Sequence, residues 1–380
     1  MQPLSFGRSK AMLPFLARPL LHYLFSLLRT AGLTDITVSS EGRGLDIRNY
    51  FGNGEQYGLN IGYMPPENWS GSAAVVGGWI AQRRTDLPTT LLVIYGDSLL
   101  QMDFGSIIAE HRLTGANVSI VTHRTKFENF LFRDDQRCTN YGVIDVNPTG
   151  IVERFVEKPL LTDIKTLFRD PWANAAVYAF DRAGLDRILM RGPKESDFGR
   201  HFFPALLNAE PAAMAIHAID IENGYRVDVG TIDLYLSAQI AALKGLIKCE
   251  PDFTVVGSRA WCDSTAHIDQ GHVWSSPAVV GPYARIGAGV RLDHSIICAK
   301  AVIEPSAIID QSVILDGARI GRGATIRRSI VGFNCHLGNG APPIEDAILG
   351  ELSELSTKSK LMSDNHFLGL LGASYGGRPI

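Results

Sequence analysis

The sequence predicts an α/β chain: an open mixed sheet with helices over residues 1–250, then a parallel β-helix over 252–345. Two patterns carry this. Helical and strand signals alternate through the first two thirds, the order expected when strands share one sheet and helices cover its faces. After Glu250 the helical period disappears, and an aliphatic residue recurs at every sixth position through Ile296, Val302, Ile308, Ile314, Ile320 and Ile326. Size agrees with two cores, because single cores usually stop growing near ~250 to 300 residues and this chain has 380.

Taken in order, Pro19 suits the first turn of a helix, and Leu20, Leu21, Leu24, Leu27 and Leu28 recur at helical spacing until Gly32. A short strand is expected at Ile36 to Val38. Further strands are expected at 59–63, 91–95, 118–121, 143–146, 151–156 and 177–180, with helices at 72–84, 104–113 and 233–243. In the last third an earlier run in a different frame adds Val280, Ile286 and Leu292. Six residues suit one side of a triangular coil whose aliphatic residues point inward and stack between coils, with turns at Gly281, Gly287 and Gly321. The alternative is a β-sandwich with glycine turns. Residues 346–380 lose the period and read as a loosely held tail.

Charge and composition exclude several classes. Lys and Arg total 36 against 39 Asp and Glu, a net charge of -3, and the basic residues are scattered, so nucleic acid is not an expected partner. Apolar runs fall short of the ~18 to 20 residues that cross a bilayer, and the first ten residues lack a signal-peptide core. The expectation is a cytoplasmic chain with no membrane partner. Five cysteines without a close pair (138, 249, 262, 298 and 335) argue against a disulfide framework and against a cysteine zinc site.

The chemistry-bearing residues lie in the α/β part. Asp97, in Tyr95-Gly96-Asp97, follows the apolar run 91–95, and ligands of open α/β sheets sit beyond the carboxyl ends of strands. Mg²⁺ on a triphosphate prefers one or two protein carboxylates, with phosphate and water filling the rest. A plain turn is the other reading. Asp228 stands between two valines, awkward in a buried strand unless paired or on a metal, or else it caps the following helix. Glu157-Lys158-Pro159 closes a strand: the lysine can hold a sugar phosphate and the glutamate a sugar hydroxyl, or the two form a surface ion pair. Asn174 precedes an apolar stretch and could equally be a turn residue. The small residues 70–74 precede a helix and let a base or phosphate approach the backbone, unless they are only a tight loop.

The order of these segments resembles the sugar-nucleotide pyrophosphorylases, nucleotidyltransferases that join an NTP to a sugar 1-phosphate. The matching string is Ser9-Lys10-Ala11-Met12-Leu13-Pro14, Gly71-Ser72-Ala73-Ala74, Gly96-Asp97, Tyr141-Gly142-Val143, Glu157-Lys158-Pro159, Asn174-Ala175-Ala176-Val177-Tyr178, Asp197-Phe198-Gly199 and Asp228-Val229-Gly230-Thr231. The resemblance covers residues 2 to 245 and is nearest in type to mannose-1-phosphate guanylyltransferase-like proteins, some of which carry a C-terminal hexapeptide helix. It implies a Rossmann-like mixed sheet followed by a left-handed parallel β-helix.

Carried over residue by residue, the resemblance makes Asp97 and Asp228 the Mg²⁺ ligands, with Asp97 also on the nucleotide. Lys10 and Lys158 become the catalytic cations, the first on the transferring phosphate and the second on the sugar phosphate. Gly142, Glu157 and Asn174 meet the sugar or its analogue, and Gly71 and Ser72 lie along base and ribose. The implied reaction is in-line attack of a 1-phosphate oxygen on the α-phosphorus, with pyrophosphate leaving. GTP is the expected nucleotide, with adenine and thymine open, and the sugar is mannose or glucose 1-phosphate or a cyclitol analogue. A homo-oligomer built through the β-helix is expected.

Departures from the pattern shape the expectation further. Ala74 and Ala176 replace glycines, Ser72 replaces threonine, and Arg226 stands where many members have tryptophan. Ala176 is expected to reshape the sugar pocket. Gln2-Pro3-Leu4-Ser5 aligns just downstream of the family's Gly-rich loop, so the first strand and that loop are expected to be missing. A non-catalytic subunit of the same fold is therefore the alternative to an active transferase.

Overall fold

The computed structural model describes residues 3–5, 7–40, 44–64, 69–83, 86–124, 139, 141–191, 196–209, 214–221, 224–257 and 260–356. Gln2, Cys138 and the tail from 357 onward lie outside the described residues. The chain divides into two compact units: Met1–Tyr23 with Asp97–Leu99 and Val227–Ile380, and Leu24–Gly96 with Leu100–Arg226. No helix among the described residues is long and apolar enough to cross a membrane.

The second unit is built on a six-stranded mixed sheet. Its path runs Ile216–Asp220, Val118–Arg124, Trp172–Phe180, Val143–Val146, Val152–Val156, and Leu91–Ile94 also pairs with Trp172–Phe180. Ile216–Asp220 runs parallel to Val118–Arg124, whereas Trp172–Phe180 is antiparallel to each of its neighbours. All nine residues of Trp172–Phe180 are buried, because alternate side chains enter apolar clusters on opposite faces. Trp172, Tyr178 and Phe180 pack with the helix residues Ala73, Ile80, Leu185 and Ile188, while Ala173 joins Val143, Ile164 and Phe168. The expected strand starting at Val177 thus begins five residues earlier, at Trp172. The helix expected from Pro19 starts at Leu20 and ends at Thr30, with Pro19 closing the short strand Arg18–Pro19.

The first unit holds a parallel β-solenoid of three walls. Ile297 pairs with Ile314 and Ile314 with Val331, so one coil takes 17 residues. Successive inward positions such as Ile297, Ile303, Ile309 and Ile314 show that one side of the triangle has five residues instead of six. This corrects part of the inward set read from the sequence. Ile314, Ile320 and Ile326 belong to the core, but Ile296, Val302 and Ile308 do not; their neighbours Ile297, Ile303 and Ile309 take those places. An unbroken sixfold run cannot stay on one face of a coil that contains a five-residue side, because neighbouring strand residues point to opposite faces. Glycines at the corners are set by coil stacking: a Cβ on Gly321 would lie 2.5 Å from the carbonyl carbon of Gly338 in the next coil. The walls continue through Ile348–Leu349 and Glu354–Leu355, past the boundary expected at residue 345.

One wall of the solenoid is apolar on both faces. Val279, Ile296, Val313 and Ile330 are fully buried although they alternate with the inward residues Val280, Ile297, Ile314 and Val331. Residues near the chain start lie on this side: a Cβ on Gly281 would come 3.0 Å from the Ala17 methyl carbon. Arg8 sits 3.5 Å from the centroid of the Phe333 ring and pairs with Glu351 at 2.9 Å. Gln239, on the helix Ile232–Leu243, is fully buried, donates to the Pro14 carbonyl at 2.8 Å and accepts from the Leu16 amide at 2.8 Å. Burying a primary amide in this way requires both its ends to be engaged. The helix expected to close the α/β part therefore groups with the solenoid.

Candidate functional site

At the end of the Val152–Val156 strand the chain turns through Glu157 and Lys158, and Lys158 adopts φ +51°, the left-handed region. Its ammonium stands 3.9 Å from the Glu157 carboxylate. Burial pushes the Glu157 carboxyl up from the ordinary carboxylate range, Lys158 pulls it back, and Asp197 adds to the rise. Two glycines face this carboxylate. A Cβ on Gly142 would lie 3.0 Å from Glu157 Oε2, and one on Gly199 would lie 2.5 Å from it. Gly142, Glu157 and Lys158 are thus brought together, and Gly199, given no role from sequence, joins them.

Asn174 reaches the same place through its backbone, its amide donating to the Gly142 carbonyl at 2.9 Å. It is not a turn before the strand but lies inside it, at a bulge where the register against Val118–Arg124 slips between Asn174 and Tyr178. Its side chain holds the bulge: Oδ1 accepts from the Ala176 amide at 2.9 Å, and Nδ2 donates to the Tyr178 hydroxyl at 2.9 Å. Among the described residues the second amide N–H of Asn174 has no acceptor. Ala176 sits in the bulge at φ +57°, a conformation that costs a non-glycine residue roughly 1 to 2 kcal/mol.

Gly199 is placed by an aromatic anchor. Phe198 is fully buried, with its ring centroid 5.3 Å from Tyr178 and 5.5 Å from Phe180. Asp197 caps the single wide turn Phe198–Phe202, accepting from the Gly199 and Arg200 amides at 3.0 Å each. The other oxygen of Asp197 accepts from the Ser72 hydroxyl at 2.8 Å.

The small-residue turn at 70–74 packs tightly against a second loop. The amides of Ala73 and Ala74, at the start of the helix Ser72–Gln82, donate to the Ser196 carbonyl at 2.9 and 3.0 Å. Gly71 lies at φ +96°, and a Cβ there would fall 2.4 Å from that same oxygen. The glycine is needed for two backbones to meet, and these two amides are not free to hold a phosphate.

Asp97 lies half-buried in the turn between the strands Leu91–Ile94 and Ser98–Gln101. Asp228 ends the strand Tyr225–Asp228, and that strand and Ser98–Gln101 form a two-stranded ladder. The side chain of Asp228 lies outside the described ones. Two carboxylate residues bordering one ladder match in donor type what Mg²⁺ takes from protein, namely one or two hard oxygens. Among the described residues no group of three or more His, Cys, Asp or Glu is set to hold a metal ion. Lys10 is exposed and opens the single turn Lys10–Met12 in the solenoid-containing unit.

His123 carries no role in the family pattern above. Burial, reinforced by Arg226, pushes its imidazole down to about 4, so the ring is neutral near pH 7. Its ring centroid is 6.4 Å from that of Tyr141, and its buried Nδ1 has no partner among the described residues. The charge acting on this ring comes from Arg226, which stands where many family members have tryptophan.

Comparison with known proteins adds to this geometry. The nucleotidyl transferase family matches residues 1–245, and the GlmU-like C-terminal hexapeptide family matches residues 263–346. A UTP–glucose-1-phosphate uridylyltransferase of Synechocystis sp. is 26% identical over 324 residues, 78% of this chain and 79% of that one. A mannose-1-phosphate guanylyltransferase of Mycobacterium tuberculosis is 28% identical over 302 residues, 78% of this chain and 76% of that one. A glucose-1-phosphate adenylyltransferase of Koribacter versatilis is 28% identical over 225 residues, 55% of this chain and 50% of that one.

Proposed function

The chain belongs to the nucleotidyl transferase family as a sugar-1-phosphate nucleotidyltransferase, and within it we propose that it joins GTP to a sugar or cyclitol 1-phosphate. The observation that supports a sugar substrate is the pocket of Gly142, Glu157 and Gly199 with Lys158 beside it. The Glu157 carboxylate accepts hydrogen bonds from sugar hydroxyls, and the two bare backbones leave it room to do so. Lys158 binds the 1-phosphate. Gly142 and Asn174 border the sugar, and Gly71 and Ser72 belong to the loop assigned by resemblance to the nucleotide. An oxygen of the 1-phosphate bonds to the α-phosphorus while the bond to the β-phosphate oxygen breaks, releasing pyrophosphate. Alignment and charge neutralisation, with Lys10 on the transferring phosphate, provide most of the rate. Asp97 and Asp228 are the residues that would hold Mg²⁺, which supplies positive charge to the phosphates.

Guanine is supported by the guanylyltransferase relative together with this chain's own hexapeptide region, against the uridylyl and adenylyl relatives. A pyrophosphate-release screen of four NTPs against hexose and cyclitol 1-phosphates, with and without Mg²⁺, tests all of this. The expected result is Mg²⁺-dependent release with GTP preferred. Release with another base would replace guanine, and silence with every pair would sink the catalytic reading.

Gly199→Ala tests the pocket. The clashing atom is the end of a flexible side chain, so melting should shift by only a few degrees while the carboxylate swings away. The Michaelis constant for the sugar 1-phosphate should rise about ten-fold, the weight of one or two hydrogen bonds. An unchanged constant would separate Glu157 from the sugar.

The solenoid is read as a self-association surface. Val255 and Val256 are 59% and 39% exposed on the edge strand Thr254–Val256, and apolar edges of this kind invite pairing. A monomer by light scattering at micromolar concentration would remove that reading.

A further inference from the structure

Ser72 stands on the loop that resemblance assigns to the base and ribose, yet its hydrogen bonds run elsewhere. Its hydroxyl proton goes to Asp197 Oδ2 at 2.8 Å, and its oxygen accepts the Phe198 amide at 3.1 Å. A serine hydroxyl has one proton, so none remains to donate to a nucleotide. The surrounding backbone is stitched to the same partner loop: the Ser196 amide donates to the Ser70 carbonyl at 2.9 Å, and the Ser196 carbonyl takes the Ala73 and Ala74 amides. Asp197 then passes the constraint on, because its second oxygen fixes the Gly199 and Arg200 amides at 3.0 Å. Gly199 in turn lies so near the Glu157 carboxylate that no side-chain carbon fits between them.

We propose that Ser72 is a positioning residue for the sugar pocket, holding Asp197 and Gly199 so that the Glu157 carboxylate keeps its place. This rests on the sugar-1-phosphate transferase reading above. Removing the hydroxyl leaves Asp197 with an unmatched oxygen and frees the turn that walls one side of Glu157. The loss is felt at the sugar although Ser72 belongs to the loop assigned to the nucleotide.

The test uses the full chain and the NTP and sugar 1-phosphate pair that the wild type turns over best. Ser72→Ala should raise the Michaelis constant for the sugar 1-phosphate about ten-fold, as expected for losing a hydrogen bond to a charged group, and leave that for the NTP within about two-fold. Ser72→Thr keeps a hydroxyl and should restore the wild-type value. Asp197→Asn keeps an oxygen for the Gly199 amide but can only donate to the Ser72 oxygen at its other end, so the charged bond is replaced by a neutral, reversed one. It should show the same split, which guards against a Ser72→Ala chain that fails to fold. A shift in the NTP constant alone, equal shifts in both, or lower thermal stability with both constants unchanged would overturn the proposal. Wild-type turnover without the split sinks this inference alone, whereas a wild type inactive with every pair sinks the transferase reading and this inference with it.

Discussion

Asp97→Asn is expected to lower turnover at saturating substrates by about two to three orders of magnitude, the loss typical of removing one preorganised charge-stabilising group. The substitution preserves shape and removes one negative charge from a turn between two strands, so circular dichroism and the melting temperature should change little. Raising the Mg²⁺ concentration should recover part of the rate, because a weaker site fills at higher metal. Asp228→Asn should behave alike, since its strand and the one following Asp97 share a ladder. Turnover equal to wild type in the Asp97 variant would leave that residue as a turn former and remove Mg²⁺ from this place.

Lys158→Ala is the second large effect. Hydrogen bonds to charged groups contribute about 1.5 to 3 kcal/mol, so the Michaelis constant for the sugar 1-phosphate should rise roughly ten- to 150-fold, with that for the NTP nearly unchanged. The backbone at this position already lies at φ +51°, and alanine meets the same strain as lysine, so the turn itself should persist. Equal effects on both substrates would move Lys158 to the triphosphate. If the lysine served only its 3.9 Å pair with Glu157, the variant would instead lose stability with its kinetics intact.

Glu157 and Lys158 were legible because a strand of alternating character ends just before them, and that places a residue at the sheet edge without knowledge of any other strand. The position of Asp97 was legible from the apolar run 91–95 that ends just before it. Asn174 was misplaced because its polar side chain, set among alanines, looks like a strand boundary. Only the opposite strand reveals a bulge that the amide itself stabilises. The close approach of Gly199 to Glu157 joins residues 42 positions apart and the Ser72 to Asp197 bond residues 125 apart, and no local period encodes such distances.

By itself the sequence determined the alternating α/β region, the solenoid and the order of motifs that marks the family, since each depends on neighbours a few residues away. Tertiary structure alone decided which aliphatic residues enter the solenoid core, because a five-residue side reverses strand parity and leaves Ile296, Val302 and Ile308 facing out. It also decided that the chain start and the helix Ile232–Leu243 group with the solenoid, where one wall is buried on both faces. It decided the packing of Gly71 and Ser72 as well: they meet a loop distant in sequence, and only folding brings that loop near.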